Sequence, residues 1–511
     1  DLGVSAGHPL AVDAGAQILD SGGTAADAIV AAAFAVAVVE PFASGIGGDG
    51  SAIVAGPEMD PVAYDYREEV PAHGSVPPSG AGVPGFVAGL AELHSDYGEL
   101  DWAEVIAPAI ELAGSGFTVT EFLELRLRSD RGPEAILGQE QFSPGGATVA
   151  AGDTLVQEDL ASTMTAIAED GPEAFYTGAL VDELTAVDGL DAESLADYEV
   201  VRAAPVSGSF GDYELLGPPP ALAGAALVQM LQVAEAAGAG QSAPGSAAYI
   251  EQFSQGWAQA EETAHTELGD PAFVDVPIAE ITDSEANASL ATGDGAGTNA
   301  AGALVSGVGP PGAPALGGPD RGPEHAGNTT HLTVTDAEGM MISMTNTITS
   351  FWGSQESVGG YFVNDQLTRF DAVGSTDANV AEAGRRSVSW SLPVVVLDDQ
   401  ERPVLGLGSP GGERIPVLLG NVLTRWALHS QSLDEAIEAT RFAFADGQVL
   451  LEEEPTGEVA ADLSLSYEVI PAEWAYFGSV QALEVDYEVG TVIGAVDTRR
   501  EADLVIGTVD E

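Results

Sequence analysis

One stretch constrains the architecture more than any other: Ser21-Gly22-Gly23-Thr24-Ala25-Ala26-Asp27-Ala28-Ile29-Val30, which continues through alanine-rich sequence to Val39 and stops before Pro41. Thr24 is placed to cap a helix, with Asp27 at the third helical position to complete the cap. Apolar residues surround almost the whole circumference of this helix, so it belongs inside a core. Its longest apolar run, Ala28 to Val39, is 12 residues, short of the about 17 needed to cross a bilayer, and no other segment reads as a membrane span. Immediately after it, Gly45-Ile46-Gly47-Gly48-Asp49-Gly50 has the spacing G-x-G-x-x-G. A dinucleotide fingerprint follows a strand and opens a helix; this one follows a helix and opens the strand-like Ser51-Ala52-Ile53-Val54, so it is not read as one.

Missing residue types exclude whole mechanisms. The 511 residues contain no lysine and no cysteine. That removes Walker-type phosphate loops, Schiff-base chemistry, thiol nucleophiles, disulfides and Cys-ligated metal sites. The acidic pairs Asp398-Asp399 and Glu453-Glu454 lack calcium-loop spacing, and no cofactor is expected. The net charge of −65, from 80 acidic against 15 basic residues, repels nucleic-acid phosphates. A hydrophobic fraction of 45% is that of a folded chain, so the charge lies on its surface. Acidic residues are spread along the whole sequence, which fits a surface adapted to high salt better than one functional patch. The opening Asp1–Pro9 has neither the basic start nor the apolar stretch of a signal peptide. With no initiator methionine the compartment stays open: export with a signal removed, or a salt-rich cytoplasm.

Residues 84 to 280 alternate helical patterns with short loops, including Asp101–Ala113, Glu121–Leu127 and Leu222–Ala236. The Gly-, Ala-, Pro- and Ser-rich stretch 283–328 reads as a long loop, which at this length is functional or mobile. It ends at an alternating strand, Asn328-Thr329-Thr330-His331-Leu332-Thr333-Val334-Thr335. More strand-like segments follow at Met341–Thr349, Ser391–Leu397, Val404–Leu407 and Val492–Val496. The pattern reads as α+β or α/β, with strands concentrated toward the C-terminus.

Thr329-Thr330-His331 admits two readings. One is a polar strand opening. The other is a bond that rearranges to an ester on the Thr329 hydroxyl and hydrolyses, leaving an N-terminal threonine whose amine, with pKa near ~8, serves its own hydroxyl as base. His331 reads as a packed strand residue rather than a base. Gly408-Ser409-Pro410-Gly411-Gly412 fails the G-x-S-x-G pattern, so Ser409 is not read as a nucleophile; the paired glycines are either a turn or two backbone donors for an oxyanion.

Together these segments resemble the γ-glutamyltranspeptidase family of N-terminal-nucleophile hydrolases. The resemblance runs along nearly the whole chain: His8-Pro9-Leu10-Ala11, Gly22-Gly23-Thr24-Ala25-Ala26-Asp27-Ala28, Val39-Glu40-Pro41, Ser44-Gly45-Ile46-Gly47-Gly48, Arg67-Glu68, Val83-Pro84-Gly85, Gly171-Pro172 with Ala174-Phe175-Tyr176-Thr177-Gly178, Pro218-Pro219-Pro220, Gly269-Asp270-Pro271, Thr329-Thr330-His331, Ser409-Pro410-Gly411-Gly412 and Asp497 with Arg499. It implies a four-layer αββα sandwich and self-cleavage between Asn328 and Thr329. A large subunit 1–328, ending in the flexible stretch 283–328, and a small catalytic subunit 329–511 would then build one core. It also implies Thr329 as nucleophile, Thr347 as the hydroxyl that holds its amine, and Gly411 and Gly412 as the oxyanion hole. The activity implied is cleavage of γ-glutamyl amides such as glutathione, with water or an amine as acceptor.

In the substrate pocket, Arg67 corresponds to the arginine that grips the glutamyl α-carboxylate. Ser389 corresponds to the first of two supporting serines, and Gln366 to a further pocket position. Three positions depart: Arg369 replaces the aspartate that pairs with the α-ammonium, Thr349 an asparagine, and Trp390 the second serine. Two unit charges 4 Å apart interact by about 4 kcal/mol at an effective dielectric of ~20, so reversing the sign of one turns that attraction into repulsion. Three functions therefore stand open: a γ-glutamyl hydrolase or transferase, an acylase for glutaryl-type half-amides lacking the ammonium, and an uncleaved inactive binding relative. The stretch between Phe370 and Arg386 is shorter than in lid-bearing members, implying an open cleft in which hydrolysis is favoured over transfer.

Salt adaptation makes a direct prediction. At molar salt the Debye length is ~3 Å and repulsion among surface carboxylates is screened. The thermal midpoint is expected to rise from dilute buffer to molar sodium or potassium chloride; a melting curve indifferent to salt would refute the reading.

Overall fold

The computed structural model describes residues 1–129, 131–292, 328–372, 377–471 and 476–508. Two antiparallel sheets lie face to face at its centre, each covered outside by helices. The first sheet is built from β1 (Leu2–Ala6), β2 (Asp49–Ala55), β3 (Val62–Asp65), β4 (Val201–Ala203), β7 (Thr329–Thr335), β8 (Met341–Thr347) and β13 (Asp503–Gly507), in the order β13-β1-β7-β8-β2-β3-β4. The second is built from β5 (Val206–Phe210), β6 (Tyr213–Gly217), β9 (Val394–Leu397), β10 (Pro403–Gly408), β11 (Gln481–Asp486) and β12 (Thr491–Val496), in the order β12-β11-β10-β9-β6-β5. Ile53, Ala63, Leu216, Met341 and Val395 are among the apolar side chains buried between them.

The outer layers follow from apolar helices. Helices α1 (Pro9–Asp20), α2 (Ala25–Val39), α3 (Trp102–Ser115) and α4 (Glu158–Asp170) form one core with the first sheet; α5 (Gly224–Ala236), α6 (Ala247–Glu267) and α7 (Ile415–Leu423) form another with the second. This is the αββα sandwich, an α+β fold. Every residue of α2 is buried, as its apolar circumference requires. Its capping box is formed: the Asp27 amide donates to Thr24 Oγ1 at 3.3 Å, and the Thr24 amide donates to Asp27 Oδ2 at 2.9 Å. The same carboxylate accepts from the Glu99 amide at 3.0 Å, so the cap also pins the loop before α3.

The glycine-rich turn after α2 does lead from a helix into a strand, β2. Its glycines serve close approach: a Cβ on Gly47 would run into the Phe362 carbonyl, and one on Gly48 into that of Thr347.

Strands are denser toward the C-terminus, although β1 to β4 make up more than half of the first sheet, and the strand-like Ser51–Val54 lies within β2. One reading of the sequence needs correcting. Of the stretch 283–328 read as loop, Ser284–Thr292 is helical and is anchored by Asn287, whose buried amide donates to Gln232 Oε1 at 2.8 Å and to the Ile281 carbonyl at 2.9 Å. Residues 293–327 of that stretch lie outside the described residues, as do 373–376 of the shortened segment after Phe370. Among the described residues no helix is long and apolar enough to cross a membrane.

Candidate active site

Strand pairing brings the threonines together. β7 and β8 pair in a register that sets Thr329 opposite Thr347, and β8 pairs with β2 so that Thr347 also faces Asp49. Cross-strand partners point to the same side of a sheet, so Asp49, Thr347 and Thr329 form one row on the face turned toward the second sheet. Thr329 Oγ1 donates to Thr347 Oγ1 at 3.3 Å, and Thr347 Oγ1 lies 3.3 Å from the Asn328 carbonyl oxygen it can donate to. The Thr349 amide donates to Thr347 Oγ1 at 2.8 Å, holding that hydroxyl in place. Thr349 has a left-handed backbone with φ of +77° and hydrogen-bonds to Gln366 Oε1, while Gln366 Nε2 donates to Ser387 Oγ at 3.3 Å.

A pocket opens over this row, lined by Thr329, Thr347, Thr349, Gln366, Arg369, Ser389, Trp390, Ser391, Gly412 and Ile415. It gathers most of the positions that the sequence singled out. Gly412 has φ of +59° and open space where a side chain would stand, which leaves its backbone accessible. Ile415 begins α7, so the partially positive end of that helix faces the pocket. Trp390 packs on Trp257 and His265 of α6, with ring centroids 5.8 and 6.0 Å away. Ser391 and Ile415 escaped the sequence reading, because a serine in a strand-like run and an apolar helix start look like ordinary structure.

Two expected members stand outside the lining. Gly411 lies behind Gly412, against Leu418 and Ile415. Arg67 is buried and engaged elsewhere: its guanidinium makes a two-point pair with Asp65 at 2.9 and 2.7 Å and donates to the Ser387 carbonyl at 2.5 Å. Burial alone would raise the Asp65 carboxyl; Arg67 and Arg386 bring it below the usual range. A bidentate pair this complete neutralises the arginine. Arg369 is the opposite case: it lines the pocket, and among the described residues no carboxylate pairs with it.

His331 is enclosed. Its Nδ1 is 2.8 Å from Thr345 Oγ1 and its Nε2 3.1 Å from Thr333 Oγ1, and burial pushes its pKa down to about 3, so the ring is neutral and only weakly basic.

The geometry places a chain hydroxyl at the start of a central strand, beside a second hydroxyl and a glycine turn, inside an αββα sandwich. That defines the class of N-terminal-nucleophile hydrolase folds. The gamma-glutamyltranspeptidase family model matches residues 11–506, and the chain belongs to that family of enzymes. It is 33% identical over 505 residues to the capsule biosynthesis protein CapD proenzyme of Bacillus anthracis, covering 98% of this chain and 89% of that protein. It is 31% identical over 542 residues to the glutathione hydrolase proenzyme of Escherichia coli, covering 97% and 90%. An acylase ACY 1 proenzyme of a Pseudomonas strain is 31% identical over 540 residues, covering 98% and 92%. In fold, the chain is similar to the cephalosporin acylase of Bacillus halodurans, with a TM-score of 0.85, 22% identity, and coverage of 100% and 96%.

One further pair involves the Asp49 end of the row. The Asp49 carboxyl hydrogen-bonds to that of Glu68, and both side chains are fully buried. Two carboxyls in contact must hold a proton between them. Burial raises both, Asp49 to about 6 and Glu68 further, against the opposing charge of Arg67. The folded chain thus keeps a proton that the unfolded chain releases near pH ~4, so stability falls as pH rises from there through neutrality. In Asp49→Asn the thermal midpoint is expected to fall less between about pH 5 and 8 than in the parent. Parallel melting curves for the two proteins would refute the shared proton.

Proposed function

We propose that this chain is a self-processing threonine amidohydrolase of the γ-glutamyl type, with Thr329 as its nucleophile. The observation that carries the reading is the register of β7 on β8, which sets the Thr329 hydroxyl 3.3 Å from that of Thr347 on the floor of a pocket rimmed by Gly412. In maturation the Thr329 oxygen attacks the Asn328 carbonyl, the peptide C–N bond breaks, and the acyl group moves to the oxygen as an ester. Water then cleaves the ester, leaving a carboxylate on Asn328 and an amine on Thr329, and so subunits 1–328 and 329–511.

In turnover the freed amine takes the Thr329 hydroxyl proton as the oxygen attacks the substrate amide. The same proton passes to the departing amine, and the acyl group stays on Thr329 until water or an acceptor amine removes it. Gly412, with the end of α7 behind it, supports the developing oxyanion; Gly411 shapes the turn. Thr347 positions the Thr329 amine, and Gln366, Thr349, Ser389 and Trp390 shape the acyl site. Hydrolysis is favoured over transfer.

The substrate class favoured by the family is a γ-glutamyl amide such as glutathione. One observation supports the half-amide reading instead: the cation of the pocket is Arg369, while Arg67 is occupied by Asp65. An acyl chain ending in a bare carboxylate matches Arg369; an α-ammonium does not.

Intact-mass analysis after incubation in molar salt tests the nucleophile. Two fragments are expected, the second beginning at Thr329, whereas Thr329→Ala should stay whole and lose at least about a thousandfold in turnover. A processed and active alanine variant would overturn the assignment. Paired assays of γ-glutamyl and glutaryl anilides test the pocket: Arg369→Asp is expected to move preference toward the γ-glutamyl compound by at least about tenfold. An unchanged ratio would remove Arg369 from substrate recognition.

A further inference from the structure

The two sheets come into close contact at Gly406 and Gly408 of β10. Along β10, Gly406 faces Thr333 and Met341, and Gly408 faces the His331 ring so closely that a Cβ there would be driven into the imidazole. His331 lies two residues after Thr329 on the same face of β7, and it pairs across to Thr345, two residues before Thr347. Gly408 is the last residue of β10 and leads through Ser409 and Pro410 into Gly411 and Gly412. The ring therefore stands between the strand that carries Thr329 and the turn that carries Gly412.

It is also held firmly. Both ring nitrogens meet hydroxyls of the first sheet: Nδ1 that of Thr345 at 2.8 Å, Nε2 those of Thr333 at 3.1 Å and Ser343 at 3.3 Å. Ser343 then crosses to the second sheet, donating to the Leu407 carbonyl at 3.1 Å and accepting from the Val394 amide at 3.0 Å. A rigid aromatic plate, locked on one sheet and pressed on bare backbone of the other, fixes a separation that a flexible side chain could not.

We propose that His331 is the spacer that sets the distance between Thr329 and the Gly411–Gly412 turn, a positioning residue that acts by its volume. The proposal rests on Thr329 being the nucleophile. The relation of His331 to Gly408 stands apart from it.

The test is a double-mutant cycle on the full chain, made of Gly408→Ala, His331→Ala and the two combined. Turnover, KM, thermal midpoint and the pH profile are read in molar salt, with intact mass of the parent as the control for the nucleophile. A displacement of about 1 Å costs on the order of a hundredfold, so G408A is expected to lose about that much in kcat with KM nearly kept. The combined variant, whose cavity accepts the new methyl, is expected to recover at least about tenfold over G408A in kcat and to recover part of its thermal midpoint. His331→Ala alone is expected to lower kcat without changing the shape of the pH profile, since the ring is neutral.

Wild-type kcat in G408A, multiplicative losses in the double variant, or a missing pH limb in H331A would each overturn the proposal. So would coupling seen in the thermal midpoint but not in kcat. If G408A fails to fold, H331A decides: lost kcat with an unchanged profile supports the spacer, and unchanged kcat refutes it. An uncleaved parent would instead sink the nucleophile reading, and the midpoint coupling would still score the packing of His331 on Gly408.

Discussion

The pairing of β7 with β8 is the interaction on which the rest of the site depends. A register slip of one residue in a strand turns every side chain to the opposite face. Here such a slip would take Thr329 out of the space between the sheets and bring Thr330 in. The register is secured on both flanks, because β7 also pairs with β1 and β8 with β2, and the row beyond β8 begins at Asp49. Behind β7 lies α2, a fully buried helix that is apolar beyond its cap and cannot slide toward water. The cap that starts α2 also ties down the loop before α3, so the backing of the site is fixed at one end by a buried carboxylate.

Charge has been sorted with equal economy. In a chain with 15 basic residues, several arginines are committed inside the fold: Arg67 to Asp65, Arg386 to Glu69 at 2.8 Å, and Arg441 to Asp497 at 2.7 Å with both partners buried. Pairs of this kind cost more to break than they give on forming, because the survivor is left as an uncompensated charge. Arg369 is spared such a partner among the described residues, and it stands in the pocket. The charge in and beside the pocket is therefore set by one guanidinium and by the carboxyl pair of Asp49 and Glu68, a strand away from Thr347.

What could be read from the sequence was whatever is encoded locally. The capping box at Thr24 and Asp27, the strands after Asn328 and Met341, and the glycine turn at Gly411 and Gly412 each carry their signal within a few residues. Other features depend on how the chain folds back on itself. Nothing beside Arg67 announces that Asp65 folds back on it, since an i, i+2 pair of opposite charges is common on any surface. Ser284–Thr292 lies in a low-complexity run, and its helix is stabilised by Gln229 and Gln232, far away in the chain, through Asn287. Gly406 sits in a strand-like run and Gly408 opens a turn motif; only the second sheet laid against the first shows them as places where backbone meets side chain.

Both sheets combine strands from before residue 293 with strands from after residue 327, and the first interleaves them: β7 lies between β1 and β8, and β8 between β7 and β2. A molecule nicked ahead of Thr329 would thus be two polymers woven into the same fabric. Neither could shed the other without tearing ladders on both sides of the β7–β8 pair, and neither, once alone, would own the neighbours its strands need to zip up again. Such a molecule has a single assembly in its lifetime: the intact precursor acts as its own mould, and after the nick any complete unfolding is final.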